Sequence, residues 1–396
     1  MAEVFMAARE GRLLALKRIL AEFADDPVFV RMFLDEVSIA GRLSHPNICS
    51  VFDSGQVDGR PFLVMEFVPG VNLWALIARG HPLPVEIPVA IASKIAAALA
   101  HAHAATDDQG RALGIVHRDV TPNNVMVSFD GGVKLLDFGI AKARVRAERT
   151  RTGVLKGKYA YMSPEQAAGG ELDARSDLFS LGLVLYESLT GARPFGGTTP
   201  SEIVDALKEC APRSPVVLRP DLDPRLAEII LRALARRPED RFESAEAMAA
   251  ALESFLEEGG RPLSDEQLGS LMKDLFPQRH RAIKQVEDEV RSAIESGGGR
   301  ADDGRANAPS VPFEEHADDM HSVALSVDSS GRKGVPTTTM AMAHKRRRRG
   351  LWKMLAIFLG FGLGLCSGVA LWSLLRPPRD ATAPAPVVRQ LTEDER

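Results

Sequence analysis

The chain has 396 residues, room for one large domain or two ordinary ones with extensions. Charged residues make up 26% and hydrophobic residues 45%, which is globular rather than disordered, and a formal net charge of −4 argues against a dedicated nucleic-acid binder. The three cysteines, Cys49, Cys210 and Cys366, are widely spaced and odd in number, so they suggest neither a disulfide framework nor a zinc site and fit a reducing compartment. The first residues carry no basic-then-apolar signal pattern.

Residues 1–20 read as two strands, Glu3-Val4-Phe5-Met6-Ala7 and Leu13-Leu14-Ala15-Leu16-Lys17, joined by a turn at Glu10-Gly11-Arg12. A lysine at a strand end, taken alone, reads as a solvated charge. Asp26-Pro27 is a helix start, an N-cap followed by proline at the first helical position. Phe29, Phe33, Val37 and Ala40 then form an apolar face at helical spacing, with Glu36 beside it. His45-Pro46-Asn47-Ile48 reads as a turn and Phe62-Leu63-Val64-Met65 as a strand. Ile91, Ile95 and Leu99 recur every four residues in an alanine-rich run, which predicts a buried helix. Its His101 and His103 read as packing or surface groups rather than ligands.

The stretch from Gly114 to Lys142 carries the chemistry. Val125-Met126-Val127 and Val133-Lys134-Leu135-Leu136 flank Asp130-Gly131, a strong hairpin signal. Antiparallel pairing brings Asn124 and Asp137 to the open end of that hairpin. An amide oxygen and a carboxylate side by side are hard oxygen ligands suited to magnesium carrying phosphates. Asp119 lies on the loop entering the hairpin, close to any metal held there. One Asp and one Asn alone would read as solvated hairpin ends. The joint pattern His117-Arg118-Asp119, Asn124, Asp137-Phe138-Gly139 is too long for chance.

That pattern, HRDxxxxN followed by DFG, resembles the eukaryotic-type protein kinases, most like the bacterial membrane-anchored Ser/Thr branch. The resemblance implies an α+β, two-lobed fold over residues 1–257, with ATP and Mg2+ as cofactors and protein Ser/Thr side chains as substrates. It implies that Asp119 accepts the substrate hydroxyl proton, that Asn124 and Asp137 hold magnesium, and that Lys17 pairs with Glu36. It also implies that Val4, Ala15, Lys17, Met65, Glu66, Val68 and Met126 line the nucleotide, and that Arg118 receives an activation-loop phosphate. Ser163-Pro164-Glu165 stands where A-P-E is expected and Arg241 matches its arginine partner. Asp177 matches the aspartate that anchors the catalytic-loop backbone.

Three departures stand out. The family's first strand and first loop glycines have no counterpart: Ala2 takes the place of the third glycine and Val4 of the valine. The chain is expected to leave a sheet edge open and apolar there, through a late start or a true lack of the phosphate lid. Thr121 stands where the family carries a lysine, and Lys158 follows Gly157 where it carries a threonine. We read these as an exchange that puts the Lys158 ammonium near the γ-phosphate; independent drift of the two sites is the alternative. Between Ile140 and Met162 the chain is strongly basic, with Thr150 and Thr152 as phosphorylation candidates, Thr152 foremost. A membrane-tethered pseudokinase or scaffold is the competing reading if the missing glycine loop is real.

Beyond residue 257, Ser264-x-x-Gln267 is a capping box opening a helix with Leu268, Leu271, Met272 and Leu275 on one face, ended by Pro277. Ile283, Val286, Val290 and Ile294 mark a second amphipathic segment, so 258–296 either docks on the kinase lobe or pairs with another copy. Residues 297–350 read as a flexible linker ending in Lys345-Arg346-Arg347-Arg348-Arg349. From Met354 to Leu375 no residue is charged, which predicts a transmembrane helix over 351–375 and an outer tail of 376–396. The basic run places the kinase side in the cytoplasm. Gly360, Gly364 and Gly368 share one helix face and offer a homodimer contact.

Overall fold

The computed structural model describes residues 2–9, 12–57, 59–80, 83–138, 159–197, 199–260, 262–295 and 325–327. Ala2–Arg9 (β1) and Arg12–Ile19 (β2) pair antiparallel, with Val4 opposite Lys17 and Ala8 opposite Leu13. Pro27–Ala40 (α1) follows. Asp26 caps it by accepting from Val28 N at 2.9 Å, and Pro27 occupies the first turn, where no N–H is needed. Phe29, Met32, Phe33, Glu36 and Ala40 form its buried stripe, and Phe33 packs against Ile19 and Leu63.

Val51–Val57 (β3) and Arg60–Glu66 (β4) extend the upper sheet, β4 lying between β3 and β2. The β3 sequence lacks apolar alternation and is mostly exposed, so its strand character comes from pairing with β4 rather than from its own pattern.

The lower lobe begins with Gly70–Asn72 (β5), Leu73–Ala78 (α2) and Glu86–His103 (α3). Val125–Ser128 (β6) and Val133–Leu135 (β7) join β5 in a second antiparallel sheet, and Gly131 at φ +90° makes the turn. Pro164–Ala168 (α4), Arg175–Thr190 (α5), Pro200–Glu209 (α6), Pro215–Leu218 (α7), Pro224–Ala233 (α8) and Ala245–Glu258 (α9) follow. Thirteen of the 18 residues of α3 and thirteen of the 16 of α5 are buried. Helices apolar on nearly all sides belong at the centre, and α3 packs on α5 and α9. Together they form the rigid base beneath the hairpin that carries the site.

Asp265–Leu275 (α10) opens with the capping box: Gln267 N donates to Ser264 Oγ at 3.2 Å and Ser264 N to Gln267 Oε1 at 2.9 Å. Leu268 and Met272 are buried in the lower core, with Leu271 and Leu275 packed against it. Pro277–Glu295 (α11) starts on the proline that stops α10. Ile283 packs on the lower core, and Val286 and Val290 are buried against Ala8, Met6 and Leu13 of β1 and β2. The segment therefore docks on its own chain. The side chain of Ile294 lies outside the described residues.

The expected open edge at β1 is corrected. Leu325–Val327 (β8), within the stretch read as linker, runs parallel to β1 with Ser326 opposite Ala7. Unpaired N–H and C=O groups on an edge are a template for such an addition. The membrane stretch and Gly360, Gly364 and Gly368 lie outside the described residues. Among those described, no helix is long and apolar enough to cross a membrane.

Candidate active site

Asp119 sits on the loop between α3 and β6, and a buried carboxylate shapes that loop. Asp177, on the first turn of α5 and fully buried, accepts from His117 N at 2.7 Å and Arg118 N at 2.8 Å. His103 Nε2 lies 2.8 Å from Asp177 Oδ2, so this histidine holds the anchor in place. Arg118 adopts φ +67°, which costs a non-glycine residue about 1–3 kcal/mol, and the hydrogen bonds to its neighbours over-determine it. Gln166 Nε2 adds a bond to the Arg118 carbonyl at 3.1 Å.

His117 Nδ1 accepts from Asp119 N at 3.2 Å, which leaves Nε2 to donate to the Leu136 carbonyl at 3.0 Å. Its ring lies 4.7 Å from that of Phe138, itself 2% exposed. One imidazole thus links the loop carrying Asp119 to the strand end carrying Asp137.

The hairpin register delivers the two oxygen groups together. Leu136 N donates to the Asn124 carbonyl at 2.8 Å, so Asn124 and Asp137 flank the open end. Asn124 Nδ2 donates to both the carbonyl and Oδ2 of Asp119, each at 2.8 Å, which turns its Oδ1 away from Asp119. Asp137 has φ +49°, a second strained position at the site.

From the upper lobe, Lys17 Nζ reaches Glu36 Oε1 at 2.8 Å and Asp137 Oδ1 at 2.7 Å. Burial by itself depresses an ammonium, but the carboxylates of Asp137 and Glu36 outweigh it and hold Lys17 above the ordinary lysine range. The cation therefore stays charged at any physiological pH.

Among the described residues, no cluster of three or more His, Cys, Asp or Glu groups is arranged to hold a metal. The donor set here is instead one carboxylate, Asp137, and one amide oxygen, Asn124. That suits magnesium, which keeps several waters and takes its remaining ligands from phosphates. The residues fit such an ion.

Of the expected nucleotide-lining residues, Ala15 and Val68 are buried and Val4, Met65 and Met126 half-buried. Ala15 stands opposite Met65 across the β2–β4 pair, and Val4 opposite Lys17. The Glu66 carboxylate bonds Lys134 Nζ at 2.9 Å and Ser50 N at 3.2 Å, while its own N–H donates to the Ser50 carbonyl at 2.9 Å and its carbonyl accepts from Cys49 Sγ at 3.6 Å. Sequence reasoning missed this Glu66–Lys134 pair. Lys134 is visible as a polar break in an apolar strand, but its partner lies 68 residues away.

Glu165 and Arg241 form a two-pronged pair at 2.7 and 2.8 Å, with Ser176 Oγ on Glu165 Oε1 at 2.6 Å. Burial pushes the Glu165 carboxyl up, but Arg241 and Ser176 outweigh it and bring it down to about 2. The Arg118 Nε is buried and has no hydrogen-bond partner among the described residues. Lys158, Thr150 and Thr152 lie outside them.

The sequence profile of the protein kinase domain matches residues 1–252. The tyrosine-protein kinase MasK of Myxococcus xanthus is 35% identical over 395 residues, covering 93% of this chain and 61% of MasK. The serine/threonine-protein kinase PknL of Mycobacterium bovis is 40% identical over 255 residues, covering 64% of this chain and 62% of PknL. PknH of the same organism, also a serine/threonine-protein kinase, is 36% identical over 258 residues, covering 65% and 42%. The chain thus spans about three fifths or less of the length of these relatives. The profile match and the lysine–glutamate–aspartate arrangement across two lobes lead to one assignment: the chain belongs to the protein kinase domain family.

Proposed function

We propose that the protein is an ATP- and Mg2+-dependent protein Ser/Thr kinase. The observation that carries this reading is the joint placement of Lys17 between Glu36 and Asp137, beside the Asp119–Asn124 pair. Phosphoryl transfer asks mainly for positioning and charge neutralisation, and these side chains supply both. Lys17 binds the nucleotide's α- and β-phosphates, Asn124 and Asp137 hold the metal, and Asp119 takes the hydroxyl proton. Bound magnesium would neutralise charge on the transferred phosphoryl group. An intact set of five such groups argues against a scaffold, which needs none of them.

Arg118 supports regulation by phosphorylation of the basic segment. Its buried Nε lacks a partner among the described residues, and a phosphate on Thr152 or Thr150 would fill that role. The chain would phosphorylate itself there.

The uncharged run from Met354 to Leu375 and the basic cluster before it support a single-pass anchor with the kinase in the cytoplasm. Gly360, Gly364 and Gly368 support pairing of two such helices.

A second acceptor class, tyrosine, is favoured by one observation: MasK, which matches nearly the whole chain, is named a tyrosine kinase. Transfer of labelled phosphate from ATP by the purified protein, with Asp119→Asn as control, tests the activity. Phosphoamino-acid analysis of the product separates the acceptors, and phosphotyrosine alone would overturn the Ser/Thr reading. No transfer by either protein would favour the scaffold.

A further inference from the structure

Helices α10 and α11 make contacts with both lobes that a linker would not need. At the lower end, α10 lies against the turn of the β6–β7 hairpin. A Cβ at Gly269 would stand 2.7 Å from the Asp130 carbonyl carbon and 2.9 Å from the Phe129 carbonyl oxygen. Glycine inside a helix costs about 1 kcal/mol relative to alanine, and here it permits backbone-to-backbone approach. From the other side, a Cβ on Gly131 would overlap the Asp265 carbonyl. Lys94 of α3 pairs with Asp265, and Arg79 donates to the Leu275 carbonyl and lies 4.8 Å over the Phe276 ring. The His280 ring sits 5.0 Å from Phe129. The foot of α11 is thereby fixed to the lower lobe.

Its upper part meets the other lobe. Val4, Met6 and Ala8 alternate onto one face of β1, and their cross-strand partners Lys17, Ala15 and Leu13 share that face. Lys17 reaches Asp137 from this face, so the face looks into the cleft. Val286 and Val290, 5% and 3% exposed, pack with Ala8, Met6 and Leu13 at its outer end. Between Phe276 and Val290 a helix rises about 21 Å, enough to reach from the lower lobe to β1–β2.

We propose that α10 and α11 belong to the catalytic unit as a strut: α11, footed on the β6–β7 turn, holds the cleft-facing side of β1–β2 at fixed height over the nucleotide and so sets nucleotide affinity. The nucleotide clause rests on the kinase reading; the mechanical clause does not. Loss of the Val286 and Val290 contacts lets β1–β2 leave the binding-competent position, and apparent affinity falls with the competent fraction.

The test uses the full chain and the double variant Val286→Ala/Val290→Ala, which keeps helix propensity while removing the contact. Hydrogen exchange in 2–9 and 12–19 should rise while α3 stays protected, and the Mg-ADP dissociation constant should weaken about fivefold or more. Gly269→Val, which displaces the foot, should give the same two changes, and Lys284→Ala neither. Unchanged exchange in both strands with unchanged nucleotide affinity would overturn the strut. If the wild-type protein binds no nucleotide, the kinase reading fails while the exchange comparison still decides the mechanical claim. If the double variant does not fold, Gly269→Val carries the test alone.

Discussion

Lys17 on β2 and Asp137 at the end of β7 form an ion pair of 2.7 Å that joins the two lobes through the site itself. Glu36 holds the same ammonium from α1 at 2.8 Å, so one cation fixes the helix, the upper sheet and the Asp137 carboxylate relative to one another. Replacing Lys17 leaves two carboxylates without their shared partner. Lys17→Met is expected to lower the initial rate of phosphoryl transfer by about 100-fold or more. Glu36→Gln should cost less, because Lys17 keeps Asp137. Equal losses in the two variants would contradict this ranking.

On the proposed role of Asp119 as acceptor of the hydroxyl proton, Asp119→Asn should lower kcat by about 100-fold or more with little change in nucleotide affinity. Asn124→Ala is expected to act differently, by raising the Mg2+ concentration needed for half-maximal rate. A titration of rate against Mg2+ in both variants separates base from metal ligand.

Arg241 is buried and bonds Glu165 through two nitrogens. Its removal leaves a carboxylate in a partly buried site, and Arg241→Met should destabilise the domain by about 3–5 kcal/mol in urea unfolding. The pH dependence has a definite sign. The folded Glu165 carboxyl is depressed to about 2 from an ordinary 4.5, so its contribution is fully present above about 4.5. As pH falls from there through about 2, that stability is lost. Glu165→Gln should flatten this part of the stability profile; a profile identical to wild type would show that the pair does not govern it.

The Thr121 and Lys158 departures are read as an exchange of a hydroxyl and an ammonium. Lys158→Ala should then reduce turnover about 100-fold. The double variant Thr121→Lys/Lys158→Thr, which restores the family arrangement, should recover most of the activity. Near-normal turnover in Lys158→Ala would remove the idea.

Much of the fold was legible where local chemistry is decisive. The Asp26-Pro27 start of α1, the Ser264/Gln267 capping box and the Asp130-Gly131 turn each depend on residues within a few positions of one another. The apolar stripe of α3 identified its burial, and the Asn124 and Asp137 spacing placed two oxygen groups at one hairpin end. Where a contact joins distant residues, the sequence reached it only through the family resemblance, as for Glu165 with Arg241, or was silent. The Glu66–Lys134 pair, the His103 contact to Asp177 and the seat of α11 on β1–β2 have no local signature. β3 shows the same limit, because its strand form is imposed by β4 rather than by its own side chains.

By itself, the sequence named the candidate groups for chemistry, Lys17, Glu36, Asp119, Asn124 and Asp137, and one structural pair, Glu165 with Arg241. It did so because metal ligation, phosphate binding and proton transfer each demand particular side chains at near-fixed spacing. Only the tertiary structure decided how the lobes are held over the site. That depends on buried area and on close backbone approach, as at Gly131 and Gly269, between residues more than a hundred positions apart. Local propensity cannot encode such a distance, and packing does.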